Sequence, residues 1–364
     1  MADLNEVLGV DNIVGMIQAI KPGLNRTLPD SYYAVNRTVH GDMVSFDEED
    51  GERKTSKIGG RDAPARQIEV DGVRQTHARC LSPKEKMSVK PTDLENLRAP
   101  GGSRKEKRGK SEVARKVGRL NTRLDNTRIA TAEMMLLGGG VIYYDNDGNL
   151  LADDTGAVNT VDAGIPATNL SRIKDMDGND ILTDWAVVTA DIVGQMRKLH
   201  DTALKRTGYK LSTVVYGADV IGHLCANNCV GNMMNSFAAL SASMANLSLP
   251  SGFLGFQNWI SGSGAFWVDE DGTHHNLVGD EEICFLPEMD ASWFENVEGS
   301  FPVPNTDGVF GSLVEANESF VDVTGKYGYA WIEKDPPGAS GVVGDTYLPF
   351  IKVPGVVYKG YVGT

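Results

Sequence analysis

Residues 103–137 read SRKEKRGKSEVARKVGRLNTRLDNTRIATAEMMLL, and Gly138-Gly139-Gly140 follows. Val113, Val117, Leu120, Leu124, Thr127, Thr131, Met134 and Leu137 recur at steps of four or three, which places them on one face of an α-helix. Ser111 is a suitable N-cap, Glu112 suits the first turn, and the glycine triplet is a stop. Gly118 and the β-branched residues lower the helix propensity without interrupting the pattern. A helix over 111–137 is roughly 40 Å long at about 1.5 Å per residue. Its apolar stripe is narrow, and Arg115, Lys116, Arg119, Arg123 and Arg128 occupy the opposite side. The pattern predicts a beam lying across a flat domain with a charged, open back.

Charge is divided along the chain in the same way. Residues 1–128 carry 24 Lys+Arg against 19 Asp+Glu, and residues 129–364 carry 11 against 30, which gives +5 and −19 within a net charge of −14. Such asymmetry predicts that one half meets a partner of opposite sign, either nucleic acid or the acidic half of an identical neighbour. The overall acidity favours the neighbour over a general polyanion. No apolar window is long enough to span a membrane, and the first residues, MADLNEVLGV, lack the pattern of a signal peptide. Four cysteines in 364 residues do not make a disulfide framework, so reduced thiols are expected. The 41 glycines and 7% aromatic content suggest a thin molecule with many turns.

Residues 1–35 read as an arm of short amphipathic pieces, broken at Lys21-Pro22-Gly23 and Pro29. Residues 36–95 are polar and strand-like, with turn signals at Asp47–Lys54, Gly59-Gly60 and Asp71-Gly72, as expected of β-hairpins. So long a ribbon with so few large apolar residues needs a second chain to lie on. Beyond the triglycine, 141–151 predicts a hairpin turning at Asp145–Asn149, Trp185–Thr207 a second amphipathic helix, Ser212–Tyr216 a buried strand, and Ala218–Leu224 a further helix. Phe266–Val268 and Glu282–Leu286 read as strands, and the tail alternates strands with turns. The class is α+β with one dominant helix.

This order resembles the lambda-type major capsid protein of tailed phages, the capsid protein E family with the Hong Kong 97-like fold. The likeness rests on Ala78–Pro100, on Arg123–Gly140 with Glu133 and the glycines, and on VVYGADVIGHLCANNCV at Val214–Val230. It also rests on Trp259–Glu288, with its WVDEDGT turn and FLPE strand end, and on the closing KDPPGASGVVGDTYLPFIKVPGVV. The resemblance implies an arm (1–35), an extended β-loop (36–95), and a peripheral domain (96–179) built on a spine helix at about 111–137. An axial domain (180–315) and a return to the peripheral domain (316–364) complete it. It implies a structural protein, not an enzyme, that self-assembles into hexamers and pentamers as an icosahedral head around double-stranded DNA, without sequence-specific binding. Scaffold and portal proteins, and optionally decoration proteins, would be its partners, and the virion capsid, assembled in the bacterial host cytoplasm, its place. The loop cations Arg53, Lys54, Lys57, Arg61 and Arg66 and the helix cations Arg115, Lys116, Arg119 and Arg123 are then the expected intersubunit contacts. The alternatives are a nanocompartment shell of the same fold and a DNA-binding protein using the basic helix at 104–128.

No cofactor or metal site is expected. His223, Cys225 and Cys229, with His200 as a fourth, have an unusual spacing for zinc, and a helix burying small cysteines accounts for them better. Three Asp-x-Asp-Gly segments at 145, 175 and 269 lack the remaining oxygen ligands of a calcium loop and read as turns. The triglycine follows a helix, whereas phosphate-cradling loops precede one. No G-x-S-x-G is present. Lys54 and Lys57 lie in the loop without an identifiable Asn partner on a neighbour, so no subunit cross-link is expected.

Overall fold

The computed structural model describes residues 26–48, 74–89, 103–142, 160–236, 249–268, 273–304, 320–334 and 337–363. The strands β1 (Val35–Thr38), β2 (Met43–Glu48), β3 (Arg74–Arg79) and β4 (Lys84–Val89) precede helix α1 (Ser103–Glu133). Strands β5 (Gly140–Ile142), β6 (Thr160–Asp162) and β7 (Leu170–Ser171) lead to α2 (Ile192–Thr207), β8 (Leu211–Tyr216), α3 (Val220–Ala226) and α4 (Asn228–Ser236). Then come β9 (Asn258–Ser261), β10 (Phe266–Val268), β11 (His274–Asn276), β12 (Glu282–Pro287), β13 (Phe294–Glu298) and β14 (Ser300–Pro304). The chain closes with β15 (Phe320–Thr324), β16 (Tyr327–Lys334), β17 (Pro337–Gly344), β18 (Tyr347–Ile351) and β19 (Tyr358–Tyr361).

A five-stranded sheet in the order β7-β19-β12-β8-β9 separates two hydrophobic cores. Strand side chains alternate between faces. On β12, Cys284 and Leu286 therefore enter one core, while Ile283 and Phe285 enter the other. The first core holds Met135, Leu136 and Leu137 at the end of the long helix, with Trp293, Phe294, Leu348 and Phe350. The second is filled by Met196 and Leu199 of α2, Trp185, Phe256 and Trp259. Both β8 and β12 are buried on both faces, which explains their nearly continuous apolar sequences. Strands β1, β13 and β18 form a second sheet, and β16, β17 and β4 a third, against which α1 lies.

Several expectations shift. Helix α1 starts at Ser103 rather than Ser111, because the Lys/Arg/Glu run at 104–108 favours a helix despite its charge. It ends at Glu133, after which Met134–Gly138 forms a wider π turn, and Gly139 stops the chain at φ 85° with its N–H on the Met134 carbonyl. Helix α2 starts at Ile192 rather than Trp185: Asp191 caps it by accepting from the Gly194 amide at 2.9 Å. Gly140–Ile142 pairs with Thr160–Asp162, with Val141 opposite Val161, so its partner strand lies further along than Leu150-Leu151. The proposed turn there, like residues 1–25 of the arm and 49–73 of the loop, lies outside the described residues.

The base of the loop is a regular antiparallel ribbon, from Met43 opposite Arg79 to Glu48 opposite Arg74. It is anchored in its own chain: Val44 and Phe46 are buried in the first core, and the Phe46 ring stacks on Phe350 at 3.7 Å.

Candidate assembly surface on the long helix

The face that α1 buries is more polar than its sequence suggests. Val117, Asn121, Leu124, Thr131 and Met135 are buried along it, and Arg128 falls in the same register. Leu120 and Met134 are only half-buried and Thr127 is exposed. The buried stripe therefore runs beside the expected apolar one and shares Val117, Leu124 and Thr131 with it.

Arg128 is thus not on the open back. Its Nε and Nη2 donate to the two carboxylate oxygens of Asp345 at 3.0 and 2.7 Å, and its Nη1 donates to Glu298 at 2.7 Å. The guanidinium also sits over the Tyr347 ring at 5.0 Å, and the Tyr347 hydroxyl contacts Thr131 Oγ1 at 2.8 Å. Burial alone would lower the Arg128 pKa, but Asp345 and Glu298 outweigh it and hold the charge firmly in place. Burial pushes the fully enclosed Asp345 carboxyl up, and Arg128 opposes that shift. The two-pronged contact keeps Asp345 ionised.

One turn towards the N-terminus of α1, Lys326 Nζ contacts Asp125 and donates to Asn121 Oδ1 at 2.9 Å. Asn121 Nδ2 donates to Asp125 Oδ2 at 3.3 Å. At the other end, the buried Glu133 accepts from the Tyr33 hydroxyl and, at 3.0 Å, from the Thr27 amide. Its second oxygen has no hydrogen-bond partner. Burial raises the Glu133 pKa, and burial followed by Glu133 raises that of Tyr33. A cavity of about 130 Å³ opens between these groups, lined by Arg26, Tyr33, Asp125, Arg128, Asn296 and Lys326 among others.

The outward cations lie on a different side. Arg115, Arg119 and Arg123 are exposed and Lys116 is half-buried. Arg123 reaches Glu85 at 3.3 Å and Lys116 reaches the Ser88 carbonyl at 3.5 Å, so both touch β4 of their own chain. An exposed pair of this kind is worth about 0–1 kcal/mol and leaves the side chains open to exchange partners. Arg53, Lys54, Lys57, Arg61 and Arg66 lie outside the described residues.

The candidate metal residues do not converge. His200 packs on Phe256 at 4.3 Å, His223 lies 3.9 Å from Glu281, and Cys225 and Cys229 are exposed. Among the described residues, no three His, Cys, Asp or Glu side chains come together as a metal site. Asp175 forms a turn: its Oδ1 accepts from the Asp177 and Asn179 amides at 2.9 and 2.8 Å, and Lys198 holds its carboxyl well below the usual range. No helix among the described residues is long and apolar enough to cross a membrane.

Comparison with known proteins settles what this scaffold is. The family described as Phage major capsid protein E matches residues 10–298, most of the chain. The chain belongs to that family. It is a bacteriophage major capsid protein, a subunit of the shell that makes up the virion capsid. No curated protein matches it. Among solved structures, one described as the capsid protein of a prophage from E. coli CFT073 is 13% identical. It covers 98% of this chain and 99% of its own, with a TM-score of 0.53. That likeness establishes a Hong Kong 97-like fold for the capsid protein. A phage-related protein from Bordetella bronchiseptica RB50 is 8% identical over 97% of each chain with a TM-score of 0.46. The mature capsid of bacteriophage PhiM1 is 9% identical over 94% of this chain and 89% of that one, with a TM-score of 0.45.

The polar seam of α1 was missed because hydropathy scores Asn121, Arg128 and Glu133 as solvent-facing. The usable signal was their phase, since 121 and 128 fall into the four-three register of Val117, Leu124 and Thr131.

Proposed function

We propose that copies of this capsid protein join head-to-tail into hexamers and pentamers and close an icosahedral shell around packaged double-stranded DNA. Its role is structural rather than catalytic. The observation that carries this reading is the β2–β3 ribbon. Among its described residues, it is fastened to its own core through Val44, Phe46 and Ala78 at the base. The segment it supports, residues 49–73, has eleven charged residues and few large apolar ones. Such a segment gains buried area only by lying on a neighbour, and a contact between unlike surfaces closes into a ring by rotation. Arg53, Lys54, Lys57, Arg61 and Arg66, together with Arg115, Lys116, Arg119 and Arg123, would meet the acidic 129–364 half of the next subunit. We assign residues 1–35 to an arm, 36–95 to the loop, 96–179 and 316–364 to the peripheral domain, and 180–315 to the axial domain. Scaffold, portal and decoration proteins fit the same reading as further partners, with assembly in the host cytoplasm.

Electron microscopy of the protein expressed with and without a scaffold tests this. Closed shells, rings or curved sheets support it, and a discrete monomer or dimer at high concentration, even with scaffold, would overturn it. Removing 50–72 behind a short turn keeps Phe46 in its core and is expected to leave a soluble subunit that forms no shell. Normal shells from that deletion would remove the role of the ribbon. Direct DNA binding by the basic helix makes a different prediction: isolated subunits would hold DNA with an affinity falling steeply with salt.

A further inference from the structure

Lys326, Asn121 and Asp125 form a closed triangle of side-chain contacts. Lys326 follows Gly325 in the turn between β15 and β16, while Asn121 and Asp125 stand one turn apart on α1. The turn is fixed by backbone bonds, with the Gly325 amide on the Gly299 carbonyl at 2.9 Å and the Thr346 amide on the Gly325 carbonyl at 3.1 Å. Gly325 holds φ 70°, and a Cβ there would come within 2.9 Å of the Glu298 carboxyl, so the turn has little freedom. Asn121 is fully enclosed, and the Lys326 and Asp125 side chains are 19% and 15% exposed. The 130 Å³ cavity opens beside Asp125 and Lys326.

We infer that Lys326 and Asn121 condense into an intrachain isopeptide bond, with Asp125 as the proton carrier. The Lys326 nitrogen lies 2.9 Å from Asn121 Oδ1. One carbonyl bond further, of about 1.23 Å, is the amide carbon, which is therefore no more than about 4 Å away. That is close to the ~3–3.5 Å separation of a near-attack arrangement, and a small rotation of the amide closes the gap. Asp125 touches both reactants, the ammonium through one oxygen and the leaving amide nitrogen through the other.

The reaction balances without an oxidant or other co-reactant. Asp125 takes one proton from the Lys326 ammonium, and the free amine attacks Asn121 Cγ. The new C–N bond forms as the carbonyl electrons move to oxygen. Asp125 hands its proton to Nδ2, and the C–Nδ2 bond breaks as the carbonyl reforms. The attacking nitrogen loses a second proton by the same route, so ammonium leaves through the cavity and Asp125 returns to its carboxylate. Enclosure by the helix and the turn excludes water that would otherwise hydrolyse the intermediate. The product ties α1 to the β15–β16 turn across 205 residues of chain, next to the Arg128–Asp345 contact.

Intact mass spectrometry of the full-length protein from purified shells tests the inference and needs no variant. After allowing for loss of Met1, the mass is expected to fall below the sequence mass by one ammonia. A tryptic digest is expected to contain one branched species joining the Asn121 and Lys326 peptides, with no cleavage after Lys326. Lys326→Arg keeps the cation but removes the nucleophile, and is expected to restore the sequence mass. Asp125→Asn keeps both reactants and is expected to do the same. A full sequence mass in mature shells, with both peptides recovered separately, would overturn the bond. Ammonia loss with the two peptides still separate would place the loss at another residue and overturn it equally. A link that persists in Asp125→Asn would overturn the part given to Asp125.

Discussion

Arg128→Ala removes the cation that pairs with the fully enclosed Asp345 carboxylate through two hydrogen bonds, at 2.7 and 3.0 Å. Glu298 loses its 2.7 Å contact as well, but its side chain is 21% exposed and can be rehydrated. Asp345 cannot, so most of the cost falls there. Breaking a buried pair by removing one partner costs about 3–5 kcal/mol, because the remaining charge is left uncompensated. Replacing both partners by apolar residues costs far less, since neither charge then has to be stripped of water. Arg128→Ala is therefore expected to lower the unfolding free energy of the dissociated subunit by about 3 kcal/mol or more. Arg128→Met with Asp345→Leu should recover at least about 2 kcal/mol of that loss. Arg128→Lys should fall between them, because a point charge cannot make both parallel contacts. Urea titrations of the four proteins, followed by near-ultraviolet circular dichroism, measure these differences. An Arg128→Ala protein losing under about 1 kcal/mol, or a double mutant no more stable than Arg128→Ala, would refute the uncompensated-charge account.

Glu133→Gln should make subunit stability less dependent on pH. Burial raises the Glu133 pKa above its usual 4.5, so the folded state binds the proton more tightly than the unfolded one. The wild type then loses stability as pH rises from that value to the folded pKa, and levels off above it. The advantage of Glu133→Gln should grow over the same interval in urea titrations, and a constant difference from pH 4 to 8 would count against it. Phe46→Ala empties a buried site stacked on Phe350 and should cost about 3–5 kcal/mol by the same titration, whereas changes confined to 50–72 should leave subunit stability unchanged. Gly217→Ala should abolish soluble subunit, read as soluble yield. A Cβ at this position would lie 2.0 and 2.3 Å from the Gly279 and Asp280 carbonyl oxygens, which are backbone atoms and cannot swing aside. Charge reversal at Arg115 and Arg119 should stop assembly while leaving the subunit folded, and acid-to-base changes in the 129–364 half should restore it. Normal shells from the reversed protein, seen by electron microscopy, would exclude the helix from the subunit contact.

What could be read from the sequence divides along physical lines. Leu211–Tyr216 and Glu282–Pro287 were legible because both faces of each strand are buried, and burial on both faces leaves an apolar run. The end of α2 was legible because Gly208, at φ 81°, is a local stop that depends on nothing distant. The start of α1 was not, since its first turns are held by the propensity of Lys, Arg and Glu rather than by an apolar stripe. The residues that matter most on α1 were hidden for another reason. Arg128 finds Asp345 across 217 positions, Lys326 finds Asn121 across 205, and Glu133 finds Thr27 across 106, and no local window contains both partners. Phase along the helix nonetheless separates the two kinds of cation. Counted in steps of about 100° from Val117, Leu124 and Thr131, Arg128 and Asn121 fall on the buried side, whereas Arg115, Arg119 and Arg123 fall away from it. The long helix turns both apolar and polar residues towards its sheets, and directional contacts at Asn121 and Arg128 help to set its rotation. The same rotation turns Arg115, Arg119 and Arg123 outward, so the internal ion pair at Arg128 helps to set which side of the helix is exposed.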